Sequence, residues 1–265
     1  MKQKVTAVAS AGMLIIGLAG SARAATIDLT GGGSGTSAAG VIFTSTDIQP
    51  TGTGVIDPFL RLQLSTGQAG VESGINTSLD TPNQPILNDK PGTWTHDLSL
   101  SSLQQITLPG QSGTFYKFLL DINQTAQSPL LNLNTIHFYV RNNAFGTLSA
   151  FNNFFNISGN NNQTLGALPA GGFDALAGDN VLLNYSLNHG SGSGDMFMYV
   201  PVADLGTSGF LYLVNQNGDP NVANDGFEEW AGQTGPAPVP DTSSTLMLLG
   251  MGLVAVEGLR RKLTV

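Results

Sequence analysis

Three histidines, His96, His137 and His189, are the residues from which acid–base or metal chemistry could be built. Serines and aspartates are plentiful enough to complete a Ser-His-Asp set on paper. A Gly-x-Ser-x-Gly elbow is absent, however: residues 190–194 read Gly-Ser-Gly-Ser-Gly, with serine second and fourth rather than third. Zinc-type spacing is also missing, since no two histidines lie within 40 residues of each other and there is no cysteine. His137 stands between Ile136 and Phe138, which predicts an outward polar position on a strand. No catalytic residue is assigned, and the expectation is a chain that is not an enzyme.

Oxygen chemistry is the alternative. Asp219, Asn221, Asp225 and Glu228 lie close together in sequence and could offer carboxylate and carbonyl oxygens to Ca²⁺. Their spacing is not that of an EF-hand loop, because the sixth position counted from Asp219 is Asn224 and not glycine. The competing reading is a turn followed by a final strand pinned by Phe227 and Trp230. Sugar binding would need exposed aromatic rings over amides; Trp94, Tyr116, Tyr139 and the Asn-rich stretch 142–162 could supply them, or could serve as core and loop anchors.

Charge narrows the partners. Outside the two end segments the chain keeps four cations, Arg61, Lys90, Lys117 and Arg141, against 16 carboxylates, a net of −12. Such a surface repels nucleic acid and anionic headgroups, so no nucleic-acid partner is expected. With no cysteine, nothing can mispair in an oxidising compartment.

Both ends carry addresses. Lys2 and Lys4 precede an apolar run from Val5 to Gly20, and Ala22-Arg23-Ala24 supplies an A-x-A cleavage site. Residues 1–24 therefore read as a secretory signal peptide, a helix in the membrane, cut after Ala24 or, alternatively, after Ala25. At the other end, a polar signature (Val239, Pro240, Asp241, Ser244, Thr245) precedes an apolar stretch and the cations Arg260, Arg261 and Lys262. Ser243 to Leu259 is 17 residues, or roughly 25 Å of helix, near the lower limit for spanning a bilayer. Glu257 lies one turn from the cations and can pair with Arg260 or Arg261. The basic cluster acts as a membrane stop and leaves the body outside.

This tail resembles the PEP-CTERM protein-sorting family of bacterial exported proteins, in a variant with Val-Pro-Asp at 239–241. The resemblance implies an exosortase-type membrane protease as partner, after passage through the Sec translocon. It further implies anchoring in the inner membrane before processing, then residence at the cell surface or in the extracellular matrix, where exopolysaccharide is an available ligand. The body looks similar to ectodomains of some other PEP-CTERM proteins at Gly54–Phe59, Phe118–Gln124, Gly190–Met196 and Asn224–Trp230. That implies fold and export, not chemistry.

What must position any site is a set of short strands. Phe59–Leu64, Trp94–Leu100, Thr114–Asn123, Leu131–Val140, Val181–Leu187, Met196–Val200 and Phe210–Val214 read as strands between Gly, Pro and Asn turns. In Leu131–Val140 the apolar parity changes: Leu131 and Leu133 share one face, Ile136, Phe138 and Val140 the other. The slip at Asn134-Thr135 predicts a bulge. Gly70–Pro91 reads as a long loop, the glycines at 190–194 as the turn of a hairpin-like pair, and 142–162 as an excursion held down by phenylalanines. No sustained helical period is present. The expected fold is all-β, a β-sandwich of jelly-roll type. The expected organisation is a signal peptide (1–24), a flexible entry (25–40), the sandwich (41–231), a spacer (232–238), and the sorting signature with its transmembrane helix and basic tail (239–265).

Overall fold

The computed structural model describes residues 25–45, 58–64, 67–81, 85–159, 163–190 and 194–234. The signal peptide with Ala22 and Ala24, and the tail from Val239 to Val265, lie outside them. The described chain forms β1 (Thr26–Asp28), β2 (Ser34–Thr36), β3 (Ile42–Thr44), β4 (Pro58–Leu62), β5 (Glu72–Ile75), β6 (Leu98–Ser99), β7 (Gln105–Ile106), β8 (Phe115–Asp121) and β9 (Leu130–Arg141). Helix α1 (Leu148–Phe154), β10 (Ile157–Ser158), β11 (Thr164–Leu165), β12 (Phe173–Asp174) and β13 (Asn180–Asn184) follow. The last elements are β14 (Met196–Pro201), α2 (Val202–Leu205), β15 (Phe210–Asn217) and β16 (Glu228–Gly232).

Two sheets face each other. The first runs β1-β13-β9-β15-β5, with β12 on β9 and β6 on β15. The second runs β2-β3-β14-β8-β16-β4, with β7 on β8. Strand β1 lies parallel to β13, while β9, β15, β8 and β14 pair antiparallel with their neighbours. Leu131, Leu133, Phe138, Leu211 and Leu213 of the first sheet meet Tyr116, Phe118, Leu120, Met198 and Trp230 of the second in one core. Burial of these alternating residues is what joins the sheets into a sandwich-like pair of layers.

The parity slip in β9 is a real bulge. Gln216 of β15 stands opposite Thr135, and the next residue, Asn217, stands opposite Leu133, so Asn134 is the extra residue. Skipping one residue keeps Leu133 and Ile136 on the same, inner face. Val140 shares the parity of Ile136 and Phe138 but sits at the strand end and is 40% exposed.

Several local expectations change. The entry 25–40 is not a linker: β1 joins the first sheet and β2 the second. Gly32 and Gly33 have positive φ and turn the chain between them, and a β-carbon at Gly35 would crowd Ile27. The Gly70–Pro91 stretch contains β5, an edge strand of the first sheet. Trp94–Leu100 shortens to Leu98–Ser99 followed by a 3₁₀ turn at Leu100–Ser102. Strands β13 and β14 do not form a hairpin, because β14 crosses to the second sheet and pairs with β3 and β8. Helices α1 and α2, of 7 and 4 residues, were too short to show a period in sequence.

Outside the first sheet, Phe145, Phe151 and Phe155 pack on Tyr139, Tyr212 and Val214 and form a second apolar cluster. The Tyr212 hydroxyl accepts the Phe145 N–H at 3.1 Å. Thr147 caps α1 by accepting the Ala150 N–H at 3.2 Å. The aromatics thus hold the described part of the 142–162 excursion against the sheet.

Candidate functional site: a carboxamide cleft beside a buried acid pair

The edge where β4 of the second sheet approaches β5 of the first is closed by the segment Ile86–Lys90. Gln63 N–H donates to Asn88 O at 3.0 Å and Lys90 N–H to Arg61 O at 2.9 Å, on the β4 side. On the β5 side Asn88 N–H donates to Ser73 O at 2.9 Å, and Ser73 N–H returns to Asn88 Oδ1 at 2.9 Å. These bonds satisfy groups that two bare edge strands would leave open.

Asp89 anchors the segment from below. Both its carboxyl oxygens accept the Ile75 N–H, at 3.2 Å each. Burial, and then the neighbouring Asp80 charge, pushes the Asp89 carboxyl well above the usual carboxylate range. Asp80 accepts the Ile86 N–H at 2.9 Å, and burial pushes it up to about 7. Only glycine fits at position 74, since a β-carbon there would overlap Asp89 and Leu62.

Above this floor lies a cleft of about 650 Å³. Its uncharged polar lining is Gln63, Gln68, Ser73, Asn88, Gln163, Thr164 and Gln216, with Lys90 as its cation; Val71, Leu87 and Leu165 give apolar walls. The far wall is the β10–β11 arm, tied across by the Leu87 N–H donating to Gln163 Oε1 at 2.9 Å. Leu87 adopts φ +56°, a strained conformation for a branched side chain, and the arm holds it there. Carboxamides can both donate and accept, so this lining suits a ligand rich in hydroxyl or amide groups.

Behind the cleft the two sheets exchange a buried acid pair. Glu72 of β5 and Glu228 of β16 are fully buried and hydrogen-bonded to each other. Burial first, and then the Glu72 charge, raises Glu228 well above its ordinary range. Burial also raises Glu72, but hydrogen bonds from Glu228 and Asn217 and the Lys90 charge oppose it. The pair therefore keeps a shared proton at pH values where isolated carboxylates have released theirs. A chain of polar side chains extends it: Asn217 Nδ2 donates to Glu72 Oε1 at 3.2 Å, Asn215 Nδ2 to Asn217 Oδ1 at 2.9 Å, and Trp230 Nε1 to Asn215 Oδ1 at 2.9 Å. Neither the cleft nor this chain was foreseen, because their members are scattered through the sequence.

The structure divides the four residues read as calcium ligands. Glu228 points into the core, whereas Asp225 is exposed. Asn221 is hydrogen-bonded to Asn132, and the Asp219 backbone to the Asn134 side chain. Among the described residues no group of three or more His, Asp or Glu is placed to hold a metal ion. Glu228 is the first residue of β16 and is turned inward, while Asp225 lies in the turn before that strand.

The aromatic candidates also separate. Tyr116 is buried and donates to Gly206 O at 2.8 Å; Tyr139 is buried and donates to Pro169 O at 2.7 Å. Trp94 is 41% exposed, and the Arg61 guanidinium lies 4.2 Å from its ring centre and 4.3 Å from that of Phe227. Arg61 also pairs with Glu229. The histidines occupy separate elements. His137 is half-buried rather than free in solvent, stacked on Tyr139 at 4.9 Å, and burial lowers its pKa. His189 meets the Tyr185 ring at 5.2 Å, and the His96 N–H donates to Phe59 O at 3.0 Å.

Among the described residues no helix is long and apolar enough to cross a membrane, and the expected anchor at 243–259 lies outside them. Neither a curated protein nor a solved structure matches the chain, and no family is identified for its body. Residues 238–263 match the family model of the VPDSG-CTERM motif, and at its C-terminus this chain is therefore similar to exported proteins that carry a PEP-CTERM-like sorting tail.

Proposed function

We propose that this chain is an exported bacterial protein, displayed at the cell surface or released into the extracellular matrix, where its body acts as a non-enzymatic adhesive or scaffolding domain. The observation that carries the reading is the sorting-motif match at 238–263. In this account the Sec translocon exports the chain, residues 243–259 hold it in the inner membrane, and an exosortase-type protease cuts near Val239–Thr245. The body needs no cofactor. Its chain crosses between sheets at β1–β2, β4–β5, β6–β7, β8–β9, β13–β14, β14–β15 and β15–β16, which supports a jelly-roll-like description. Deleting residues 239–265 should abolish surface display and any adhesion it confers. Adhesion unchanged by that deletion would contradict the reading.

A second reading is favoured by the cleft: the body binds a saccharide chain, with exopolysaccharide as the available ligand. Seven side chains with amide or hydroxyl groups line a volume of about 650 Å³, within the range of ligand pockets. Binding of the purified body to isolated exopolysaccharide, compared with Gln63→Ala and Lys90→Ala, tests it. Loss of at least about 1 kcal/mol in either variant is expected for a direct hydrogen bond; equal binding by all three would sink it.

A further inference from the structure

We propose that Asp179 is a receptor for the free α-ammonium group of Ala25, formed when the leader is cut between Ala24 and Ala25, and that this junction, not Ala25–Thr26, is the processing site. The proposal rests on the export reading. Hydrolysis of the Ala24–Ala25 peptide bond leaves a carboxylate on Ala24 and an ammonium on Ala25. The Ala25 nitrogen already donates to Asp179 Oδ1 at 2.8 Å, and the Ala38 nitrogen to Asp179 Oδ2 at 3.2 Å. One carboxylate thus ties the start of β1 to the turn that joins β2 and β3.

The receptor is set by its own loop. Asp179 N–H donates to Leu176 O at 3.0 Å, and Gly178 turns the chain with φ +85°. The first residue is held on its other side too, since Asn180 N–H donates to Ala25 O at 3.0 Å. From there β1 continues parallel to β13, Thr26 opposite Asn180 and Asp28 opposite Leu182. A cut after Ala25 would discard both the donor to Asp179 and the acceptor for Asn180. A cut after Ala24 keeps both and converts a neutral hydrogen bond into a charge-assisted one. Strand β1 has only three residues, so a contact at the residue just before it governs whether it frays. Capture of a terminal amine in this way is a known mode of chain-end recognition.

The test uses protein exported and processed by cells. N-terminal sequencing should give Ala25 as the first residue. Acylation of its α-amine at neutral pH should be slower than in Asp179→Asn by about two- to fivefold, the ratio expected for an exposed ion pair. Asp179→Asn should lower the melting temperature of the processed protein more than that of a version with one glycine inserted between Ala24 and Ala25, where the Ala25 nitrogen stays an amide. A first residue of Thr26, or equal acylation rates and equal melting losses, would overturn the proposal. Retention of residues 1–24, read from mass alone, would overturn the export reading along with it.

Discussion

Glu228 of β16 and Glu72 of β5 are buried against each other, so a carboxylic acid pair joins the two sheets between their facing layers. A shared proton is what makes the contact tolerable there. Two ionised carboxylates buried side by side would repel each other with no water to screen them. The body's formal −12 therefore overstates its charge, because Glu228, Asp89 and Asp195 hold protons that the ordinary range would release.

Stability should fall as pH rises. Asp80 and Asp195 are raised to about 7 and about 8, and Asp89 and Glu228 well above their ordinary range, in each case by burial first. Between the ordinary carboxylate range and these values the folded state binds more protons than the unfolded one. The stabilising contribution is thus complete below the unfolded pKa values and is lost as pH climbs through the folded ones. The melting temperature should drop by at least about 4 °C from pH 5 to pH 8, the shift expected for one to two kcal/mol in a domain of this size. Calorimetry across that range checks it; a rise toward pH 8 would contradict the assignment of these protons.

Glu228→Gln separates the proton from the contact. The amide still donates to Glu72 but has nothing to titrate. Its melting temperature should match wild type near pH 4 and exceed it at pH 8. Glu72→Ala, by contrast, leaves Asn217 Nδ2 without its acceptor and Glu228 buried without its partner, and should cost about 2–5 kcal/mol in denaturant unfolding at pH 5.

Gly74→Ala should be among the most damaging single-methyl additions. The new β-carbon would overlap Asp89 and Leu62, neither of which can leave without breaking the closed edge. A loss of about 3 kcal/mol or more is expected by chemical denaturation.

Apolar runs between turn residues made several strands legible. Apolar and aromatic runs marked β8 and β15, alternation marked β9, and the slip at Asn134-Thr135 located the bulge. Strand β5 escaped because it reads Glu-Ser-Gly-Ile: the buried Glu72 looks like a surface residue until Glu228 is placed opposite it. Strands β1 and β2 escaped because each is three residues long and the glycines at 31–33 and 35 resemble a linker, although Gly35 is small to admit Ile27. The cleft was illegible for a different reason. Gln63, Asn88, Gln163 and Gln216 come together only through edge closure and the β10–β11 arm, and no local pattern records that.

Arg61 organises the outer face of the second sheet. Arg61→Ala removes the pair with Glu229 and leaves the Trp94 and Phe227 rings without the guanidinium between them. A cost of about 1–2 kcal/mol is expected from the stacked contacts together with the half-buried pair. Trp94 fluorescence should change in the folded variant, and an unchanged spectrum would contradict the stacking.

Export and sorting are tested most directly by the intact mass of the protein in each fraction of the producing cell. The account predicts surface or extracellular protein that begins at Ala25 and has lost the segment that ends in Arg260, Arg261 and Lys262. Replacing those three cations with glutamate should reduce retention in the inner membrane before processing. Full-length protein found only in the cytoplasm would contradict the account.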